Sequence, residues 1–169
     1  MFRIGSYQTL EGIAKPNQTV EVFEDGASLG RVTAAADGQW RLYVPPPPSG
    51  TRVYEVRAVG AVSGARLSLQ VPEAQAGASC KRAFALLNLQ DGGAVSRPFR
   101  FGGVGSGSGY TVRVKRGDRV IGRKDLPLSA ACGWSYLSNP GPGQITYEVR
   151  PTGVPETEPP LTTISLNVQ

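Results

Sequence analysis

The chain has 169 residues with a net charge of +5, and it combines 22 glycines and 14 prolines with 18% charged residues and no histidine. That length suits two small units of roughly 85 residues each, and Val, Ile, Leu and aromatic residues recur at strand spacing, which argues against disorder. The lack of histidine removes the commonest general base and metal ligand, and no apolar run approaches the roughly 20 residues of a membrane span.

In chain order, strands are expected near 2–7, 10–14, 19–23, 28–33, 39–43, 52–59 and 65–71. Val20-Glu21-Val22 alternates as a half-buried strand does, with Glu21 on the outward side. Glu24-Asp25-Gly26 supplies the positive-φ residue of a tight hairpin, and Asp37-Gly38 does the same ahead of Trp40, Leu42 and Val44. The four prolines at 45–48 cannot join a ladder, so they end that strand as a stiff extended connection. Residues 72–79 (PEAQAGAS) are small and polar and read as a linker, dividing the chain into 1–72 and 73–169. Further strands are expected near 82–89, 97–104, 110–116, 119–126, 134–137, 144–150 and 161–168. The stretch 102–109 (GGVGSGSG) reads as a flexible loop. No Gly-Lys-Ser/Thr or helix follows it to make a phosphate cradle.

The two parts are copies of one unit. TVEVFEDGASLG at 19–30 registers without a gap on TVRVKRGDRVIG at 111–122, with Val20, Val22, Leu29 and Gly30 on Val112, Val114, Ile121 and Gly122. The register carries Trp40 onto Trp134, Tyr54-Glu55-Val56-Arg57 onto Tyr147-Glu148-Val149-Arg150, and Leu67-Ser68-Leu69 onto Ile164-Ser165-Leu166. Each copy thus has about seven short strands with turns every 8–12 residues, the pattern of an immunoglobulin-like sandwich. The expected fold is all-β, two tandem immunoglobulin-like β-sandwich domains.

The first copy resembles the bacterial immunoglobulin-like repeat found in tandem in adhesins and in phage virion proteins. Gly12, Ala14, Pro16, Asn17, Val20, Val22, Asp25, Gly26, Leu29, Gly30, Asp37, Gly38 and Trp40 carry the resemblance. The second copy departs from it: Lys-Pro-Asn becomes Gly-Ser-Gly, and Asp37-Gly38 becomes Ala131-Cys132.

Little in the chain suggests chemistry. The acids sit mostly in turns (Glu24, Asp25, Asp37, Asp91, Asp118), where Asp and Glu serve turn geometry, so no catalytic residue, cofactor or metal ligand is assigned. Arg116-Gly117-Asp118 resembles an integrin-binding tripeptide, but a hairpin needs Gly and Asp in any case. Trp40 and Trp134, at matched inward positions, read as core residues and not as sugar-stacking platforms. Cys80 and Cys132 both lie in the second copy; they are either a disulfide closing it or two buried thiols, according to compartment.

Charge is unevenly shared. Residues 1–72 hold seven Lys/Arg against six Asp/Glu, and 73–169 hold eleven against seven. Much of the excess lies in one hairpin: Arg113, Lys115, Arg116, Arg119, Arg123 and Lys124. These either keep a strand edge solvated or form a contact for an acidic protein surface. Nucleic acid is not expected, since no aromatic residues are interleaved with them, and neither is a membrane. The start of the chain shows no basic region followed by an apolar one. The chain therefore reads as a non-enzymatic structural or binding protein. The expectation is a phage virion accessory (capsid decoration, collar or tail component) docking on a larger protein assembly, with homo-oligomerisation compatible. The alternative is a two-repeat segment of a bacterial cell-surface adhesin.

Overall fold

A computed structural model describes residues 2–4, 9–73 and 80–169, with side chains from residue 9 onward. The expected linker at 72–79 lies outside the described residues apart from Pro72 and Glu73, as do residues 5–7 of the first expected strand. Every regular element among the described residues is a β-strand, and none of them is a helix long and apolar enough to cross a membrane.

In the first repeat, β1 (Phe2–Ile4), β2 (Thr9–Ile13) and β5 (Gln39–Tyr43) form one sheet. It faces β3 (Thr19–Glu24), β4 (Ala27–Thr33), β6 (Gly50–Ala58) and β7 (Ala65–Val71), ordered β4-β3-β6-β7. Alternation places Leu10, Val20, Val22, Trp40, Leu42 and Tyr54 in the core between the sheets. In the second repeat, β8 (Lys81–Leu86), β10 (Phe99–Ser106) and β13 (Gly133–Ser138) make the smaller sheet. The larger holds β9 (Ala94–Val95), β11 (Tyr110–Arg116), β12 (Arg119–Leu126), β14 (Gly143–Pro151) and β15 (Thr162–Val168), ordered β12-β11-β14-β15-β9. Its core is more aromatic: Phe101 lies 4.9 Å from Tyr147 and 6.1 Å from Trp134, both edge to face, an arrangement that adds to plain burial. The fold is that of immunoglobulin-like β-sandwiches.

The registers show how closely the copies match. Trp40 faces Gly12 across β2–β5, and Trp134 faces Gly103 across β10–β13. Both β-hairpins carry a bulge at the same place, after Val22 and after Val114. One difference separates them. Val22 faces Val56 across β3–β6, whereas Val114 faces Tyr147 across β11–β14. Because Tyr54 is the counterpart of Tyr147, the second copy is slipped by two residues, which keeps every inward side chain inward.

β10 corrects one sequence reading. GGVGSGSG is mostly strand, since β10 runs to Ser106 and only the residues after it form the turn. A Cβ on Gly103 would sit 1.7 Å from the Ala85 carbonyl oxygen, and one on Gly102 would sit 2.0 Å from that of Trp134. Glycine is there to let three backbones approach. The prolines at 45–48 do connect β5 to β6, but Pro45 is buried and the Pro46 ring lies 2.9 Å from where a Gly133 Cβ would be. This connection packs on the second repeat.

Candidate functional site

Each buried acid of the first repeat has a structural partner. Glu24 accepts a hydrogen bond from the Tyr54 hydroxyl at 2.8 Å and lies 3.7 Å from the Arg100 guanidinium. Burial raises its pKa above the usual carboxylate value, against the lowering effect of Tyr54 and Arg100. The Tyr54 hydroxyl is pushed up by burial and by Glu24, and burial pushes that of Tyr147 up to about 12. Glu55 is opposed by burial, yet Arg66 and Arg57 together hold it low. No group of three or more acids and cysteines poised to hold a metal occurs among the described residues. Trp40 and Trp134 are both buried.

Glu21 is where the outward reading fails. Its side chain does leave the first sandwich, but only 4% of it is exposed because the second repeat covers it. It accepts hydrogen bonds from the Ser28 hydroxyl at 2.7 Å, the Ser96 backbone at 3.0 Å and the Ser96 hydroxyl at 2.8 Å, with Arg31 at 3.4 Å. Buried charges need such company. Beside it, Asn88 donates to the Leu29 and Arg100 carbonyls, both at 2.8 Å, and accepts from the Gly102 N–H. Gly30 has φ of +116°, and a Cβ there would meet Leu89 at 2.7 Å. The Ser28 N–H donates to the Pro98 carbonyl at 2.9 Å, and β10 pairs parallel to β4 at Phe99–Ser28. One sheet therefore runs from β13 through β10 into β4, β3, β6 and β7.

A cleft of about 460 Å³ opens beside this junction, lined among others by Arg31, Arg41, Tyr43, Asn88 and Gln90. Its arginines are already matched, Arg31 to Glu21 and Arg41 to Glu11 at 3.0 Å.

The six basic hairpin residues divide into two groups. Arg113 approaches Glu156 at 3.4 Å and Glu148 at 3.8 Å, and Arg123 approaches Glu156 at 3.0 Å. Arg116 donates to the Pro142 and Gly141 carbonyls, both at 3.0 Å, so the Arg of Arg-Gly-Asp is tied to its own fold. These three are tied to other parts of the same repeat. Lys115, Arg119 and Lys124 make no ion pair among the described residues, and they flank Val120 and Ile121, which are 45% and 41% exposed. Glu156 belongs to the connection between β14 and β15, and nothing in the local pattern marks it as a partner of this hairpin.

Cys80, just before β8, is bonded to Cys132, just before β13, with their Cα atoms 5.5 Å apart. Cys132 has φ of +61° in the turn where the first repeat has Gly38 at +86°.

No family model matches the chain, and no curated protein matches it. Among solved structures it is similar to the BSP domain of a biofilm-associated protein, at 16% identity and a TM-score of 0.32 over 97% of this chain and 27% of that one. It is also similar to a C-terminal fragment of intimin solved in complex with the intimin-binding domain of the translocated intimin receptor. That likeness has 12% identity and a TM-score of 0.24 over 93% of this chain and 54% of the other. The chain spans about a quarter and about half of these two proteins, and superpositions this loose carry no argument about function.

Proposed function

We propose that the chain is a non-enzymatic protein-docking module, two immunoglobulin-like sandwiches at 1–72 and 73–169 that form a segment of a bacterial cell-surface protein. The observation that carries this reading is the junction. The outer face of one sandwich is consumed in holding the next through Glu21, Asn88 and Gly30. Stacking of this kind fixes direction and spacing, and it leaves the outlying hairpin of β11 and β12 to meet a partner. The bond between Cys80 and Cys132 supports export, because disulfides persist in oxidising compartments and are rare where glutathione keeps thiols reduced. A virion accessory assembled in the cytoplasm would meet that reducing pool, and no feature of the fold favours it.

Protease added to intact producing cells should remove the chain without lysis, and Cys80 and Cys132 should react with an alkylating reagent only after reduction. Protection until lysis, or two thiols that alkylate without reduction, would overturn the surface reading.

A further inference from the structure

The internal repeat supplies a template for the contact. In the first repeat the edge of β4 is occupied: the Ser28 N–H donates to Pro98, and the Leu29 carbonyl accepts from Asn88. The second repeat has the same hairpin and the same bulge, with Val120 in the place of Ser28 and Ile121 in the place of Leu29. There the edge is open, since β12 is terminal in its sheet and no described strand lies on its far side. Val120 and Ile121 are apolar and exposed.

We infer that the open edge of β12 is a strand-addition site for an extended acidic protein segment, running parallel to β12 and pairing at Val120. An edge strand offers unpaired backbone groups along its length. By the shared register, the donor and acceptor that correspond to the occupied pair are the Val120 N–H and the Ile121 carbonyl. Charge selects the occupant. Lys115 stands opposite Val120 on the neighbouring strand, with Arg119 and Lys124 along the edge. A second β12 laid parallel in the same register would set Arg119 and Lys124 against their own kind, which disfavours self-pairing in that direction, whereas an acidic strand meets three unpaired cations. In the first repeat Glu21 receives the incoming Ser96. Its counterpart Arg113 is already held by Glu148 and Glu156, so the acids of the incoming segment fall to Lys115, Arg119 and Lys124. The inference rests on the hairpin being a protein contact, and it does not depend on where the protein resides.

The test uses the full oxidised chain and three short synthetic peptides: alternating Glu-Val, alternating Lys-Val, and the Glu-Val sequence N-methylated on alternate residues. The Glu-Val peptide should slow hydrogen exchange at the Val120 amide, and its binding should weaken as salt rises. The Lys-Val peptide should not bind, and the methylated peptide should give no protection. The K115E/R119E variant should weaken Glu-Val binding about tenfold. Val120→Pro removes the donor at an edge position that tolerates proline, and it should abolish protection while the Trp134 fluorescence stays native. If that variant unfolds, K115E/R119E decides the matter alone. Equal binding of the methylated peptide, protection mapped away from β12, or self-association of the chain through β12 would overturn the inference. Failure of the surface-exposure experiment leaves all of these outcomes unchanged, so the two readings can fall separately.

Discussion

Glu24 and Glu55 are both buried in the first repeat, yet their stability contributions should run in opposite directions with pH. Burial raises the pKa of Glu24 above 4.5 in an environment made by Tyr54, Arg100, Asp25 and Arg52. The folded protein therefore binds a proton there that the unfolded chain has already lost. Its stabilising share is fully present below the unfolded value of 4.5 and is lost as pH rises through the folded value. Glu55 is the reverse: Arg66 and Arg57 hold it low against burial, so its share is present above 4.5 and is lost as pH falls through the folded value. Urea unfolding between about pH 3 and pH 7 should show wild type losing stability relative to Glu24→Gln as pH rises. Relative to Glu55→Gln it should lose stability as pH falls. Parallel curves for wild type and Glu24→Gln would mean that the Glu24 carboxyl is not desolvated as described.

At the level of single strands, β10 gives the sharpest contrast. Gly103 lies in mid-strand against the Ala85 carbonyl, whereas Gly107, at φ of +76° in the following turn, has nothing within 4 Å of a built Cβ. Gly103→Ala should separate β8 from β10 and cost about 3 kcal/mol, as forced overpacking does. Gly107→Ala strains only its own backbone and should cost about 1 kcal/mol. Equal losses in denaturant melts would return this stretch to the loop that its composition suggests. The strand contacts behind this contrast are tertiary: glycine and serine read locally as turn formers, and nothing near 102–109 reveals a carbonyl from residue 85. Burial of Glu21 escapes the sequence for the same reason. Alternation correctly sends it out of its own sandwich, but the Ser96 that covers it is 75 residues away. What the sequence does carry is the repeat itself, with the matched hairpins and the matched tryptophans, because hydrophobic period and turn chemistry are local. The basic hairpin is visible as a charge cluster. Its division into tied and open cations is not, since that depends on Glu156 in a distant connection.

For the whole molecule, the question is whether two cores behave as one cooperative unit. The Val22 and Trp40 core and the Phe101 and Trp134 core are separate clusters, and the buried Glu21 carboxylate spans the gap between them. Removing one partner of a buried, hydrogen-bonded charge costs about 3–5 kcal/mol, a large fraction of the 5–15 kcal/mol that holds a typical domain together. Unfolding either repeat alone would break the Glu21–Ser96 and Asn88–Leu29 hydrogen bonds and the pairing of β10 with β4, so the two should melt together. Trp134→Phe leaves Trp40 to report the first repeat, and Trp40→Phe leaves Trp134 to report the second; with Glu21 intact both should give the same midpoint. Adding Glu21→Ala should split the midpoints. The disulfide sharpens the test because it lies wholly within the second repeat, where closing a 52-residue separation contributes about 4 kcal/mol on chain-entropy grounds. Reduction should therefore move both tryptophan signals together when Glu21 is present, and only that of Trp134 when it is absent. If reduction shifts Trp134 alone in the otherwise native chain, the junction is a contact without coupling, and the two sandwiches are independent beads.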